Sequence, residues 1–317
     1  MKLIKDISIE QYDDSEFCLN YLNTHKIIGD EDVSYDGIFH IHWRSTLNEK
    51  IIFQIKSILA TQYVTKIYLW IENQMVTMLS PTYILLMQFN KFLEIKVFNK
   101  TIFNQIKGDF KNKERIWQYY TGIQNDHRYR TDILRHVILS IYGGMYTDCD
   151  TFLLRDVRDI HLKNWSATWG LVNVSNCAEF CILKEEKDSD IYEQMFLTQP
   201  TNTYCFAIGN DFKHSAFNIK HEKINLTVLP DTFFDPVWIN HDKNLPFLTV
   251  NNFDKFFEKT IKEITMDNFF KGCFAYHWHN RWSAPELKDS YAGRLNQDLD
   301  RIIEEKYNIK PYKIFNN

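Results

Sequence analysis

The sequence predicts an α/β protein with a mostly parallel central sheet. Strand-like and helix-like segments alternate through its first half in the order β-α-β-α-β, the signature of parallel strands joined by right-handed crossovers. The chain has 317 residues, of which 44% are apolar and 15% aromatic, enough to bury a large core. That composition also excludes a disordered chain, which lacks such residues.

The elements follow in order. Asp36-Gly37 precedes a β-like run from Ile38 to Trp43. Ile51 to Ala60 has helical spacing, with Ile51, Ile55, Ile58 and Leu59 recurring on one face. Lys66 to Glu72 alternates, with Ile67, Leu69 and Ile71 sharing a face. Pro81 to Phe92 reads as a helix with proline in its first turn. Glu94 to Phe98 reads as a short strand. Asp126 to Tyr142 reads as an amphipathic helix whose stripe is Ile133, Leu134, Val137, Ile138 and Ile141, with Asp132, Arg135 and His136 on the other side. Gly143-Gly144 ends it, the first glycine placed where a left-handed cap is wanted. Later strands are expected at Tyr204 to Ile208, Leu226 to Leu229 and Gly272 to Trp278, and a closing helix at Glu286 to Tyr307. No repeat or low-complexity linker divides the chain, so residues 1–317 read as one domain, with a core at about 36–283 and a C-terminal helix at about 286–307.

The charges, 37 Lys+Arg against 41 Asp+Glu, leave a net −4. That argues against a general nucleic-acid binder, which needs a basic stripe. Charges interrupt the N-terminus too early for a secretory leader, and no 18-residue apolar run occurs. A soluble, cytoplasmic protein with no membrane span is expected. The six cysteines are scattered, and Cys177 and Cys181 have no paired partner motif that would hold zinc.

Four constellations carry chemistry. Asp148-x-Asp150 follows an apolar strand, and in an extended chain its carboxylates point to one side as a hard-oxygen claw for Mg²⁺ or Mn²⁺. The plain alternative is a solvated turn, but acidic charge at a core's edge is costly without a cation. Asp132 and Arg135 read either as a surface ion pair worth a few tenths of a kcal/mol or as contacts to a polyhydroxylated ligand beside the metal. The run Tyr276-His277-Trp278-His279-Asn280-Arg281-Trp282 places two imidazoles on one side of a strand, and Arg281 suits a phosphate. An imidazole added to two carboxylates favours Mn²⁺ over Mg²⁺. The plain alternative there is a Trp-rich core edge. Trp43, at the end of the first strand, is either core packing or a stacking platform for a nucleobase.

The stretch from Tyr129 to Asp150 contains Thr131-Asp132-Ile133-Leu134-Arg135 and Gly143-Gly144-Met145-Tyr146-Thr147-Asp148-Cys149-Asp150. It resembles the signature of DXD-containing glycosyltransferases, closest to glycosyltransferase family 32 and shared with the large glucosylating toxins. The resemblance implies a GT-A (Rossmann-like) fold, a nucleotide-sugar donor, Mn²⁺ or Mg²⁺, and transfer with retention to a glycan, protein or small hydroxyl acceptor. It implies that Asp148 contacts ribose and metal and that Asp150 binds the metal. Asp132 and Arg135 would hold donor-sugar hydroxyls, and Trp43 would stack on the base. His277 would be the late metal or diphosphate ligand, and Trp282 would close over the diphosphate. The family's terminal run is usually His-His-Trp-x-Gly-Ser-Trp. Here Tyr276 stands at the first His, and Asn280 and Arg281 stand for Gly and Ser. The late ligand therefore lies between His277 and His279, with His277 favoured. UDP-sugars are the first choice of donor and GDP-mannose the second. The rival readings are a metal-dependent phosphohydrolase, for which no further ligands are evident near Asp148, and an inactive glycosyltransferase-like binding module.

Overall fold

The structure is a computed structural model that describes residues 2–72, 78–106, 113–122, 127–168, 178–188, 191, 225–238, 248–312 and 314. Its strands are β1 (Lys2–Leu3), β2 (Ile38–Trp43), β3 (Lys66–Ile71), β4 (Leu93–Val97), β5 (Gly144–Thr147), β6 (Thr151–Leu153), β7 (Trp165–Thr168), β8 (Ala178–Glu185), β9 (Thr227–Leu229) and β10 (Ala275–His277). Its α-helices are α1 (Ser15–Thr24), α2 (Lys50–Thr61), α3 (Pro81–Leu86), α4 (Lys100–Phe103), α5 (Lys113–Gly122), α6 (His127–Tyr142) and α7 (Tyr291–Tyr307).

Eight strands form one sheet in the order β1-β9-β7-β8-β5-β2-β3-β4. Among the described strands of this sheet, only the two pairings made by β8 are antiparallel. The α/β class with a mostly parallel sheet is therefore as the alternation predicts. β2 is apolar on one face, where Phe39 and Ile41 are buried, and carries the buried His40 and His42 on the other, because helices cover both faces of a central parallel strand. One core layer joins α2 and α7 to the sheet; the other places Ile133, Leu134, Val137 and Ile138 of α6 against Trp70 and Tyr146.

The chain runs outward from β2 to β3 and β4, then returns to place β5 on the other side of β2. This reversal opens a crevice beyond the carboxyl ends of β2 and β5, where ligands of open α/β sheets bind. Gly143-Gly144 makes the return possible. Gly143 has φ +66°, and its N–H donates to Leu139 O at 2.6 Å to cap α6. Gly144 has φ +93°, and a Cβ there would lie 2.6 Å from Ile38 O, so β5 can press against β2 only without a side chain.

Several elements differ from expectation. The helix from Pro81 gives way at Met87–Phe89 to a 3₁₀ turn, which swings the chain toward β4. The closing helix starts at Tyr291, where Ser290 Oγ accepts the Gly293 N–H at 3.0 Å as the cap, and not at Glu286. The late strand is confined to Ala275–His277. Arg135 and His136 do not face solvent. Both are buried, and His136 Nδ1 lies 2.7 Å from Glu185 Oε1 because β8 covers that face of α6. Tyr204 to Ile208, Asp126, Cys177 and Cys205 lie outside the described residues. Among the described residues Cys18, Cys149 and Cys273 are free, buried thiols, and no helix is long and apolar enough to cross a membrane.

Candidate metal and donor site

β5 delivers Asp148 to the crevice. Asp148 and Asp150 are not extended, as their spacing alone suggests. The Thr151 N–H donates to Asp148 O at 3.1 Å, so the Asp-x-Asp segment is a turn. The turn leads into β6, which pairs antiparallel with β10, placing His277 opposite Thr151. The Trp278 N–H continues that ladder to Asp150 O at 3.0 Å. The chain thus brings a residue from its last quarter onto the aspartate turn. Ligand atoms of Asp148, Asp150 and His277 all lie within 4.8 Å of one another.

Asp150 is buried; it accepts the Asn280 N–H at 2.7 Å and lies 3.2 Å from His277 Nε2. Burial raises its carboxyl, but His277, Asn280 and His279 outweigh that and hold it below the usual carboxylate range. Asp148 keeps 25% of its side-chain surface but is closely surrounded. Burial pushes its carboxyl up to about 6, with Asp150 adding to the rise and Arg135, His277 and Tyr146 opposing it. Two crowded carboxylates of which one resists ionisation, with an imidazole beside them, form a donor set that a divalent cation neutralises. Asp148, Asp150 and His277 are thus a ligand set able to hold a metal ion.

Tyr146 OH donates to Asp148 Oδ1 at 2.9 Å, and Arg135 Nη2 lies 3.8 Å from the same oxygen. The Arg135 guanidinium also sits over the Tyr146 ring, 5.0 Å from its centroid. Arg135 is therefore buried beside Asp148 and Tyr146 and does not lie on the surface. The side chain of Asp132 lies outside the described residues.

Trp43 and Trp282 meet edge to face, their centroids 4.7 Å apart at 69°. Trp43 Nε1 donates to Thr46 O at 2.9 Å, and Trp282 Nε1 to Asn280 Oδ1 at 3.2 Å. The buried Lys50 at the start of α2 donates to Trp282 O at 2.7 Å and Ala284 O at 2.6 Å, fixing the segment that carries Trp282. Arg281 is instead ion-paired to Asp254 Oδ1 at 2.5 Å. His279 (φ +47°) and Asn280 (φ +59°) are consecutive left-handed residues. Asparagine tolerates that conformation better than most residues, which is why it can stand where the family pattern has glycine.

Sequence reasoning missed two groups. Asp235 reads only as part of an Asp-Pro turn, yet it is buried. Its Oδ2 makes a short contact with His279 Nε2 and lies 3.5 Å from His277 Nδ1. Asp235, His277 and His279 form a second close ligand set, so the expectation of no further ligands beside the aspartate turn is corrected. At the carboxyl end of β3, Glu72 gathers Arg44 Nε at 3.0 Å, Arg130 Nη1 at 3.1 Å and Tyr120 OH at 3.2 Å. No spacing pattern marks either group, because their members come from distant segments.

The mostly parallel sheet thus carries an Asp-x-Asp turn at its switch point, met there by a late histidine. Residues 49–168, over a third of the chain, match the model of the family described as glycosyltransferase sugar-binding region containing DXD motif. Comparison with curated proteins gives no match. Among solved structures, the PaToxG glycosyltransferase is similar at 14% identity over 73% of this chain and 77% of its own, with a TM-score of 0.40. The glycosyltransferase GlyE of Streptococcus pneumoniae TIGR4 is similar at 14% identity over 89% of this chain and 66% of its own, with a TM-score of 0.42. A galactosyltransferase LgtC in complex with donor and acceptor sugar analogs is similar at 9% identity over 83% and 95%, with a TM-score of 0.42. Likeness this distant transfers no residue roles.

Proposed function

We propose that the chain is a metal-dependent, retaining glycosyltransferase of the family-32 kind that its signature resembles. It would move a sugar from a nucleotide donor to a hydroxyl of a glycan, protein or small molecule. UDP-sugars are the first choice of donor and GDP-mannose the second. The observation that carries this reading is the convergence of Asp148, Asp150 and His277 within 4.8 Å at the carboxyl end of β5.

Asp148, Asp150 and His277 would hold Mn²⁺ or Mg²⁺. A bound divalent ion there offsets charge on the departing nucleoside diphosphate. Arg135, buried beside Asp148, orients donor hydroxyls together with Asp132, so that the acceptor meets a fixed anomeric carbon. Trp43 offers its face to the base, and Trp282 covers the diphosphate. In a retaining reaction the leaving phosphate can take the acceptor proton on the same face.

A phosphohydrolase remains a second reading, because Asp235 and His279 provide the neighbouring ligands that such chemistry needs. One experiment separates the readings. The protein is incubated with Mn²⁺ and a panel of nucleotide sugars, nucleoside diphosphates and phosphomonoesters. Nucleoside diphosphate released only from sugar donors, and faster with acceptor present, supports transfer. Inorganic phosphate released from phosphomonoesters overturns it.

A further inference from the structure

His277 lies between two buried carboxylates. Its Nε2 is 3.2 Å from Asp150 Oδ1, and its Nδ1 is 3.5 Å from Asp235 Oδ2. The neighbouring His279 is stacked on His277 with centroids 3.9 Å apart, but its Nε2 is taken up by Asp235. Its ring is further wedged between Trp238, at 4.5 Å, and Phe253, at 4.2 Å. Asp235 is itself fixed, since the Asp235 N–H donates to Asp231 O at 2.9 Å and the Asp235 carbonyl accepts the Trp238 N–H at 3.1 Å.

An imidazole presents a lone pair on one nitrogen only when the other carries the proton, and the partner of that second nitrogen decides which is which. From this geometry we propose that Asp235 is a positioning residue that selects His277 over His279 as the imidazole of the metal site. It accepts the Nδ1 proton of His277, which leaves Nε2 as the donor facing Asp148 and Asp150. By engaging His279 Nε2, it keeps the second ring turned away. The strained pair His279-Asn280 is part of the same device, because the turn it makes delivers the Asn280 N–H to Asp150 Oδ2 at 2.7 Å. This inference rests on the proposed metal site.

The test is Mn²⁺ affinity, read by electron paramagnetic resonance of the free ion in the absence of donor. Asp235→Asn should weaken Mn²⁺ binding by roughly ten- to a hundredfold. In a His277→Ala background the same substitution should cost nothing further, because its effect passes through His277. Unchanged affinity in Asp235→Asn, or an equal loss in both backgrounds, would overturn the proposal. So would two Mn²⁺ per chain, since Asp235 would then be a ligand itself. Asp150→Asn separates this proposal from the reading beneath it. If that variant binds Mn²⁺ normally, the metal site has failed; if it loses Mn²⁺ while Asp235→Asn does not, only the role of Asp235 has. Should Asp235→Asn not fold, nitrogen-15 spectra of the wild-type histidines with diamagnetic Zn²⁺ decide. His277 should carry its proton on Nδ1 and bind through Nε2, and the reverse arrangement would overturn the proposal.

Discussion

His277 Nε2 stands 3.2 Å from Asp150 Oδ1 because β6 and β10 pair antiparallel, with His277 directly across from the residue after Asp150. The strand pairing is short, three residues on each side, yet it closes the site. A two-residue aspartate turn is chemically incomplete until the last quarter of the chain docks on it. The site is therefore complete only when β10 is docked on β6.

Asp150→Asn tests the metal assignment most directly. The amide oxygen can still accept the Asn280 N–H, so the fold should survive with a melting temperature within a few degrees of wild type. Donor turnover should fall to background at any Mn²⁺ concentration. Near-normal turnover that still requires metal would move the ligand elsewhere.

Arg135→Ala distinguishes a wall of the crevice from an ornament of the helix. An exposed ion pair lost to alanine costs under about 1 kcal/mol and leaves catalysis intact. Arg135 is buried between Tyr146 and Asp148, so its loss should reduce transfer strongly while nucleoside diphosphate affinity changes little. Arg135→Lys should not restore the rate, because a point charge does not reproduce a planar fork. Full transfer in the alanine variant would return Arg135 to a structural role.

The first-half strands, the central helix and the Gly-Gly return are legible in the sequence because each is a local pattern of apolar spacing or turn chemistry. The same holds for Asp148, Asp150 and His277 as candidates, which sit in compact motifs. The burial of His136 is not legible, since its cause is Glu185 on β8, far along the chain. Asp235 is hidden for the same reason: an acidic residue before proline looks like any turn until His277 and His279 fold onto it. The bend of the Asp-x-Asp turn is not legible either, because two-residue spacing cannot report the Thr151-to-Asp148 bond that makes it.

Trp43 and Trp282 should behave as a unit in base recognition. Stacking of a base on an aromatic face contributes roughly 1–3 kcal/mol. Trp43→Ala should weaken nucleoside diphosphate binding by about ten- to a hundredfold, and Trp43→Phe should recover much of it. Calorimetry of the diphosphate checks this. An unfolded Trp43→Phe protein would assign Trp43 to the core.

Two buried histidines of β2 set an acid limit on stability. His40 Nε2 donates to Gly143 O at 2.9 Å, and its Nδ1 accepts the Trp70 Nε1–H at 3.0 Å, so the ring is held neutral. Burial lowers it to about 4, with Lys96 adding to the fall and the Gly143 carbonyl opposing it. Burial lowers His42 further, to about 3, helped by Arg135, Arg44 and Arg130. In the unfolded chain both titrate near 6.5. Below that pH the unfolded state binds more protons, so the stability from a neutral His40 is complete above about 6.5 and is lost as pH falls toward 4. Asp148 acts in the opposite sense, because its raised carboxyl favours the folded state as pH falls through about 6. The contribution of His40 is therefore read as a difference. The stability advantage of wild type over His40→Gln should shrink by ~3 kcal/mol between pH 6.5 and pH 4. Denaturant titrations across that range measure it. A difference that stays constant with pH would mean that His40 takes up a proton as readily in the fold as in the unfolded chain and that its Nδ1 is not held as the acceptor of the Trp70 Nε1–H.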